Sequence, residues 1–323
     1  MANIIFEGNE IAVRAGETVL TALTRQGFKI PNSCNVGSCQ SCLMYGEGQI
    51  PNEAQKGLKP AQKELGQFLS CCCQPTNLLK VSLAPDSEKY EATVLAKTHL
   101  SKDVVMLRLS KEFAYKAGQF LTLFNADGEG RCYSFASHPE LDNFIELHIH
   151  IIPNGEVSAW VENYLKVGDK VQISSPRGEC FYTDNDLDQP LFLCGINTGF
   201  APLYSILRDA LLQGHRGKIH FLIGSKTGSG FYYHGILPSL RSRQVTIHQV
   251  ALELVNSNLN HCFQANIYDY AKSFMPKIQG AKVYLSGAES FVIKMKKQCF
   301  LLGASMSDIH ADAFVYAKAK KVA

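Results

Sequence analysis

The sequence predicts a multidomain chain: a small cysteine-rich domain, then an antiparallel β-barrel, then an α/β domain on a parallel sheet. Three observations predict it. Six of the eleven cysteines crowd into the first quarter of the chain, at Cys34, Cys39, Cys42, Cys71, Cys72 and Cys73. Short strand-like runs separated by turn residues fill roughly residues 90–175. From Pro190 onward, strand-like and helix-like runs alternate.

The 323 residues allow two or three domains with cores of their own. A composition that is 46% hydrophobic and 19% charged is that of a globular protein. The net charge of +3 is too small, and Lys and Arg too scattered, to point to nucleic acid. No apolar run approaches the roughly 18 residues that a membrane span needs. The start, "MANIIFEGNEIAV", lacks a basic segment followed by an apolar block, so a cytoplasmic protein is expected. An odd number of cysteines in such a chain speaks against a disulfide framework.

In the first domain, "NIIFEG" and "EIAVRA" alternate across a short turn and predict a hairpin. "ETVLTALTRQG" predicts a helix, with Val19, Leu20 and Leu23 on one face and Gly27 as its stop. "LLKVSL" predicts a returning strand. Between them, Cys34, Cys39 and Cys42 are spaced C-x4-C-x2-C. Zinc sites usually pair two C-x2-C knuckles or add histidines, and the first ninety residues contain no histidine. A [2Fe-2S] centre needs this spacing plus a distant fourth cysteine. Small residues at Ser33, Gly37, Ser38 and Ser41 would let backbone N–H groups approach sulfide.

The order hairpin, helix, cysteine loop, strand resembles the plant-type ferredoxin domains over about residues 1–85. The resemblance implies Cys34, Cys39 and Cys42 as ligands, and selects among the triplet. In those domains the fourth ligand follows a Gly by five positions and precedes a Pro by four, as Cys71 does between Gly66 and Pro75. Cys71 is the expected ligand, Cys72 the alternative, and Cys73 structural. Asn35 and Gln40 stand where the family often has Arg and Gly.

In the second region, "GRCYSFAS" carries Arg131, Tyr133 and Ser134 in an R-x-Y-S pattern, with Arg131 and Tyr133 on one strand face. "NGEVSAW" follows, and then "SPRGECFY". Together they resemble the flavin-binding signatures of the ferredoxin–NADP reductase superfamily. That resemblance implies Arg131 on a flavin phosphate, Tyr133 packed on the isoalloxazine and Ser134 bonded to its polar edge. It also implies a helix opening across Gly155, Val157 and Ser158 whose N–H groups meet the pyrophosphate, and a closing strand through Pro176, Gly178 and Phe181. His148 and His150 share a strand face, and with no carboxylate or cysteine at ligand spacing His148 is expected beside the flavin.

In the third region "LFLCGINTGFAP" is a strand, a turn and a helix with Pro202 in its first turn. Thr198, Gly199, Ala201 and Pro202 resemble the T-G-x-A-P segment of the same superfamily, which faces the nicotinamide nucleotide. Asn197 replaces a usual Gly, and Asn tolerates a left-handed backbone. "YLSGAESF" resembles the family's C-G-P-P segment, keeping Gly287 and placing Ser286 where Cys is usual. Ser286 and Thr198 are the expected catalytic positions.

The three modules in this order resemble the reductase components of bacterial multicomponent oxygenases. The fold class implied is a β-grasp ferredoxin (1–86), an antiparallel β-barrel flavin domain (87–187) and an α/β parallel-sheet nucleotide domain (188–323). The implied cofactors are a [2Fe-2S] cluster, FAD and NAD(P)H, and the implied partner is an electron-accepting oxygenase or hydroxylase component. Some relatives serve other acceptors, such as a deoxysugar dehydratase, and a redox sensor without turnover is the alternative of another class. In "GSKTGSG" no acidic residue follows the second strand, so Ser225 and Lys226 could accept a 2′-phosphate. NADH is expected from the resemblance.

Overall fold

A computed structural model describes residues 2–37, 40–58, 60–83, 89–183, 186–233, 235–254, 262–274 and 278–315. The predicted hairpin is β1 (Ala2–Phe6) with β2 (Asn9–Val13). Its two-residue turn has left-handed backbone at both Glu7 (φ 49°) and Gly8 (φ 79°), which matches the twist of the paired strands. The predicted helix is α1 (Val19–Arg25), where the Thr18 hydroxyl accepts from the Thr21 N–H at 3.2 Å and the chain turns out through Gly27 at φ 87°. Then come β3 (Leu43–Gly48), α2 (Pro60–Glu64), β4 (Gln67–Leu69) and β5 (Leu79–Leu83). The sheet order is β2-β1-β5-β3-β4, with β1 and β5 parallel and the other pairs antiparallel. Val19, Leu20, Ala22 and Leu23 bury one face of α1 on that sheet, so the helix roofs the core and the cysteine loop lies at one end.

The polar stretch "APDSEKY" at residues 84–90, with Pro85, predicts a linker, and 84–88 lie outside the described residues. Its last two residues correct the expectation. Lys89 and Tyr90 already belong to β6 (Lys89–Ser101), because Ser174 and Ile173 pair with them. β7 (Val104–Ser110), β8 (Phe120–Phe124), β9 (Gly130–Ser134), β10 (Phe144–His150), α3 (Glu156–Asn163) and β11 (Lys170–Ser174) complete the second domain. The order is β10-β7-β6-β11-β8-β9, and every pair is antiparallel. A bridge between Phe135 and Leu147, with the Ala136 N–H on the Glu146 carbonyl at 2.8 Å, closes β9 onto β10 into a barrel.

The third domain runs β12 (Leu191–Ile196), α4 (Phe200–Leu212), β13 (Ile219–Thr227), α5 (Leu237–Leu240), β14 (Val245–Glu253), β15 (Cys262–Gln264), α6 (Ile267–Phe274), β16 (Lys282–Ala288), α7 (Glu289–Leu301) and β17 (Ile309–Phe314). All pairs are parallel, in the order β15-β14-β13-β12-β16-β17. The chain winds outward from β12 and then returns to its other side. The topological switch therefore lies between β12 and β16, where ligands of open α/β sheets bind at the carboxyl ends. Among the described residues no helix is long and apolar enough to cross a membrane.

Candidate functional site

The cysteine loop brings Cys34, Cys42 and Cys71 together inside the first domain. Cys34 and Cys42 are each 3% exposed, and the Cys42 and Cys71 sulfurs are 3.2 Å apart. Two thiolates on one tetrahedral metal with bonds of about 2.3 Å would stand roughly 3.8 Å apart, so these two sulfurs would open by a few tenths of an ångström to share one. The hydrogen bond with Cys71 draws Cys42 below its ordinary thiol range. The Val36 N–H already points at Cys34 Sγ at 3.5 Å. Cys39 lies outside the described residues. Asn35 and Gln40 both hold left-handed backbone, at φ 57° and 55°. Gln40 thus keeps the conformation for which glycine is the usual residue.

Cys72 Sγ lies 3.7 Å from Cys71 Sγ and would be only 2.8 Å from a Cβ placed on Gly37, so it lines the loop without entering the buried pair. Cys73 points the other way. It is fully buried in the core, its carbonyl accepts from the Val19 N–H at 2.8 Å, and burial pushes its thiol up to about 12. Those are the properties of a structural residue.

Strand β9 alternates as expected. Tyr133 packs against the barrel core, and the Arg131 guanidinium donates to Glu156 at 2.5 Å, on the first turn of α3. A carboxylate therefore occupies the anion position that the resemblance gives to a phosphate. Gly155 precedes α3 with no side-chain cap, and a Cβ there would strike the Ser158 hydroxyl, which itself accepts from the Ile152 N–H at 3.2 Å. The loop and helix start form a close cradle with backbone donors, which fits a pyrophosphate. Val157 is fully buried among barrel residues, so only its backbone could reach a ligand. The expected closing strand through Pro176, Gly178 and Phe181 is not a strand: β11 ends at Ser174, only Arg177 pairs onward as a bridge to Phe120, and Gly178, at φ 102°, packs on the Phe120 ring. His148 is 6% exposed; its ring nitrogens sit 3.1 Å from the Tyr232 hydroxyl and 3.1 Å from Glu146, which pairs with Arg108 at 2.7 Å. It lies in the seam with the third domain, its ring parallel to Phe200.

At the switch point the turn Asn197–Gly199 packs on the Ser286–Gly287 backbone so closely that a Cβ on Gly199 would collide with the Ser286 carbonyl. Asn197 is left-handed at φ 51°, so the turn survives the loss of a glycine. Thr198 is half-buried at its mouth, and Pro202 is buried in the first turn of α4. The Ser286 hydroxyl is buried, with no hydrogen-bond partner among the described residues. An orphaned hydroxyl at this crevice fits a polar ligand group. β17 adds a residue that sequence reasoning missed. Asp312 sits beside Ser286 in the sheet register, and its carboxylate accepts from the Ser134 hydroxyl at 2.6 Å. Burial raises its carboxyl to about 6. Its sequence signal was slight, an acid two residues after His310 in a short strand.

Ser225 and Lys226 belong to β13, which runs to Thr227, so Lys226 is an exposed residue at a strand end rather than in a loop.

The 2Fe-2S iron-sulfur cluster binding domain matches residues 4–76, and the oxidoreductase FAD-binding domain matches residues 91–182. The reductase subunit of an aromatic O-demethylase from an Amycolatopsis species is 30% identical over 70% of this chain and 72% of its own length. The reductase component of phenol 2-monooxygenase from a Pseudomonas species is 28% identical over 87% of this chain and 84% of its own. The crystal structure of an Amycolatopsis cytochrome P450 reductase superposes with a TM-score of 0.69 at 25% identity, covering 97% of this chain and 99% of that one. With a 2Fe-2S domain, a flavin barrel and a nucleotide sheet in one chain, the protein belongs to the iron–sulfur flavoprotein reductase components of oxygenase systems, carrying electrons from NAD(P)H through FAD and a [2Fe-2S] cluster.

Proposed function

We propose that Cys34, Cys39, Cys42 and Cys71 hold the cluster, and that Arg131, Tyr133, Ser134, Gly155 and Ser158 hold the FAD. The nicotinamide nucleotide lies at the β12–β16 crevice against Thr198, Gly199, Ser286 and Gly287, with NADH preferred. The electron acceptor is the hydroxylase or oxygenase component of a multicomponent system. The domains divide at about residues 84–88 and 184–188.

One observation carries this reading: strand β9 touches both other domains. Cys132 contacts Ser33 of the cysteine loop at 3.4 Å, and two residues on, Ser134 contacts Asp312 of the nucleotide sheet at 2.6 Å. A flavin on this strand would have both the nucleotide sheet and the cysteine loop within one strand's reach. Bound there, it supplies the conversion from hydride to single-electron chemistry. The chain's own residues do the rest. Ser286 offers its unpartnered hydroxyl to the nicotinamide amide region. The Gly199–Ser286 contact fixes the width of that crevice. Asp312, its carboxyl raised by burial, accepts from the Ser134 hydroxyl at the nucleotide side of the strand. Burial of Cys42 and Cys71 excludes water from the thiolates.

The test is an anaerobic NADH titration of the purified protein, with iron, sulfide and acid-released flavin assayed beside it. One [2Fe-2S] cluster and one FAD per chain, with both bleached by NADH, is the expected result. Zinc in place of iron, or flavin that NADH leaves oxidised, overturns it.

A further inference from the structure

The residue before each of two cluster cysteines reaches across to the barrel. Ser41, next to Cys42, places its hydroxyl 3.0 Å from the Thr122 hydroxyl of β8. Ser33, next to Cys34, contacts Cys132 Sγ on β9 at 3.4 Å. Thr122 and Cys132 face each other in the β8–β9 register with 3.6 Å between their side-chain atoms, so the contacts form one continuous patch. Ser33, Ser41 and Thr122 are 3%, 5% and 1% exposed, so water is excluded from it. Hydroxyls buried this way are held by each other and fix a geometry.

A third contact comes from Arg177. Its backbone is tied on both sides to Phe120, N–H to carbonyl at 2.8 Å and carbonyl to N–H at 2.9 Å, which makes it part of the barrel wall. From that anchor its guanidinium crosses to the cysteine loop and donates to the Gln40 carbonyl at 2.5 Å. The same carbonyl accepts from the Leu43 N–H at 3.1 Å, so the guanidinium braces the turn that leads into Cys42. A guanidinium on a carbonyl is a charge-assisted bond, about twice as strong as a neutral one.

We propose that Arg177 is a positioning residue for electron transfer, clamping the cluster loop against the reverse side of the flavin strand, with the Ser41–Thr122 and Ser33–Cys132 contacts as its register. Along β9, Arg131 and Tyr133 face one way and Cys132 the other. The loop is thereby held one strand's thickness from the flavin side. The clamp rests on the proposed cluster ligands and adds no redox step of its own. It makes the flavin-to-cluster distance a fixed property of the docked domains.

The experiment compares wild type with Arg177→Ala, Arg177→Lys and Thr122→Val as full-length holoproteins. Iron, sulfide and flavin contents and NADH–ferricyanide activity should match wild type. Amide exchange at residues 40–43 should rise roughly ten- to hundredfold in Arg177→Ala, the range set by one charge-assisted hydrogen bond. NADH-driven bleaching of the cluster in stopped flow should slow several-fold, and Arg177→Lys should restore most of the exchange protection. Exchange and bleaching both at wild-type values in Arg177→Ala overturn the clamp. Where Arg177→Ala fails to fold, Thr122→Val decides on the same two readouts. A full cluster retained in Cys71→Ser marks a different failure, that of the ligand assignment, and removes the basis of the clamp with it.

Discussion

Three adjacent cysteines have three different surroundings, and a substitution should read each one out separately. Cys71→Ser removes the partner 3.2 Å from Cys42, so iron content should fall to a small fraction of wild type. Cys73→Ser should keep the cluster while costing stability, because a hydroxyl replaces a fully buried thiol. Cys72→Ser should keep it too; iron lost there but not in Cys71→Ser would reassign the ligand. Arg131 and Glu156 form a second readable pair. Arg131→Ala should lower flavin affinity by about 1.5–3 kcal/mol, one charge-assisted contact. Glu156→Gln should raise affinity, because the carboxylate competes for the same guanidinium. Fluorescence titration of FAD checks both signs. Asp312 was not legible in the sequence, since its partner Ser134 lies 178 residues away and only the meeting of two domains joins them. Its carboxyl, raised by burial to about 6 from 3.8, stabilises the fold fully below pH 3.8, and that contribution is lost as pH rises through 6. The melting temperature of Asp312→Asn relative to wild type should therefore climb between about pH 4 and pH 7. A difference that stays flat over that window would refute the shift.

At the scale of elements, the legible parts are those with a local cause. The first hairpin follows from alternation plus a turn that demands two left-handed residues, and α1 follows from its Thr18 cap and apolar face. The cysteine spacing and the turn before α4 were equally local. What stayed hidden is the set of contacts between elements far apart in the chain. His148 is one case. Glu146, two residues away on the same strand face, was passed over as a partner, and Tyr232 and Phe200, which set where its ring lies, come from another domain. The turn at Asn197–Gly199 is another. Its sequence announces a nucleotide turn, yet the pressure on Gly199 comes from the Ser286 carbonyl on a strand nearly ninety residues on. Gly199→Ala should force that contact open at about 1–3 kcal/mol, the usual cost of overpacking. KM for NADH should rise roughly ten- to hundredfold, with iron and flavin contents unchanged. A wild-type KM in this variant would show that the crevice is wider than the contact implies.

For the whole molecule, what matters is that the flavin barrel carries two seams. One faces the cysteine loop, and the other faces α4 of the nucleotide domain. The second is built from charges. Arg208 grips Asp142 with both nitrogens, at 2.6 and 3.0 Å, His138 meets Asp209 at 3.2 Å, and the Ser205 hydroxyl donates to the Ser137 carbonyl at 2.6 Å. Burial alone would raise the Asp142 carboxyl, but hydrogen bonds from Arg208 and the His138 N–H hold it below its usual range. The Arg208 and Asp142 side chains are 19% and 15% exposed, so the pair is little screened. Ser134 and Asp312 come from opposite sides of this seam, so with the flavin and nucleotide placed as proposed its geometry would set the alignment of donor and acceptor. The two seams should therefore separate by kinetics. Arg208→Ala acts upstream of the flavin and should lower kcat/KM for NADH with ferricyanide by roughly tenfold or more, the loss expected from one charged hydrogen bond. The electron paramagnetic resonance spectrum of the chemically reduced cluster should be unaltered. Arg208→Lys should recover part of the rate, because Lys supplies the charge but not the two-nitrogen grip. Ferricyanide activity at the wild-type level in Arg208→Ala would mean that the domains keep their alignment without this pair, and that the seam is held by its apolar contacts alone.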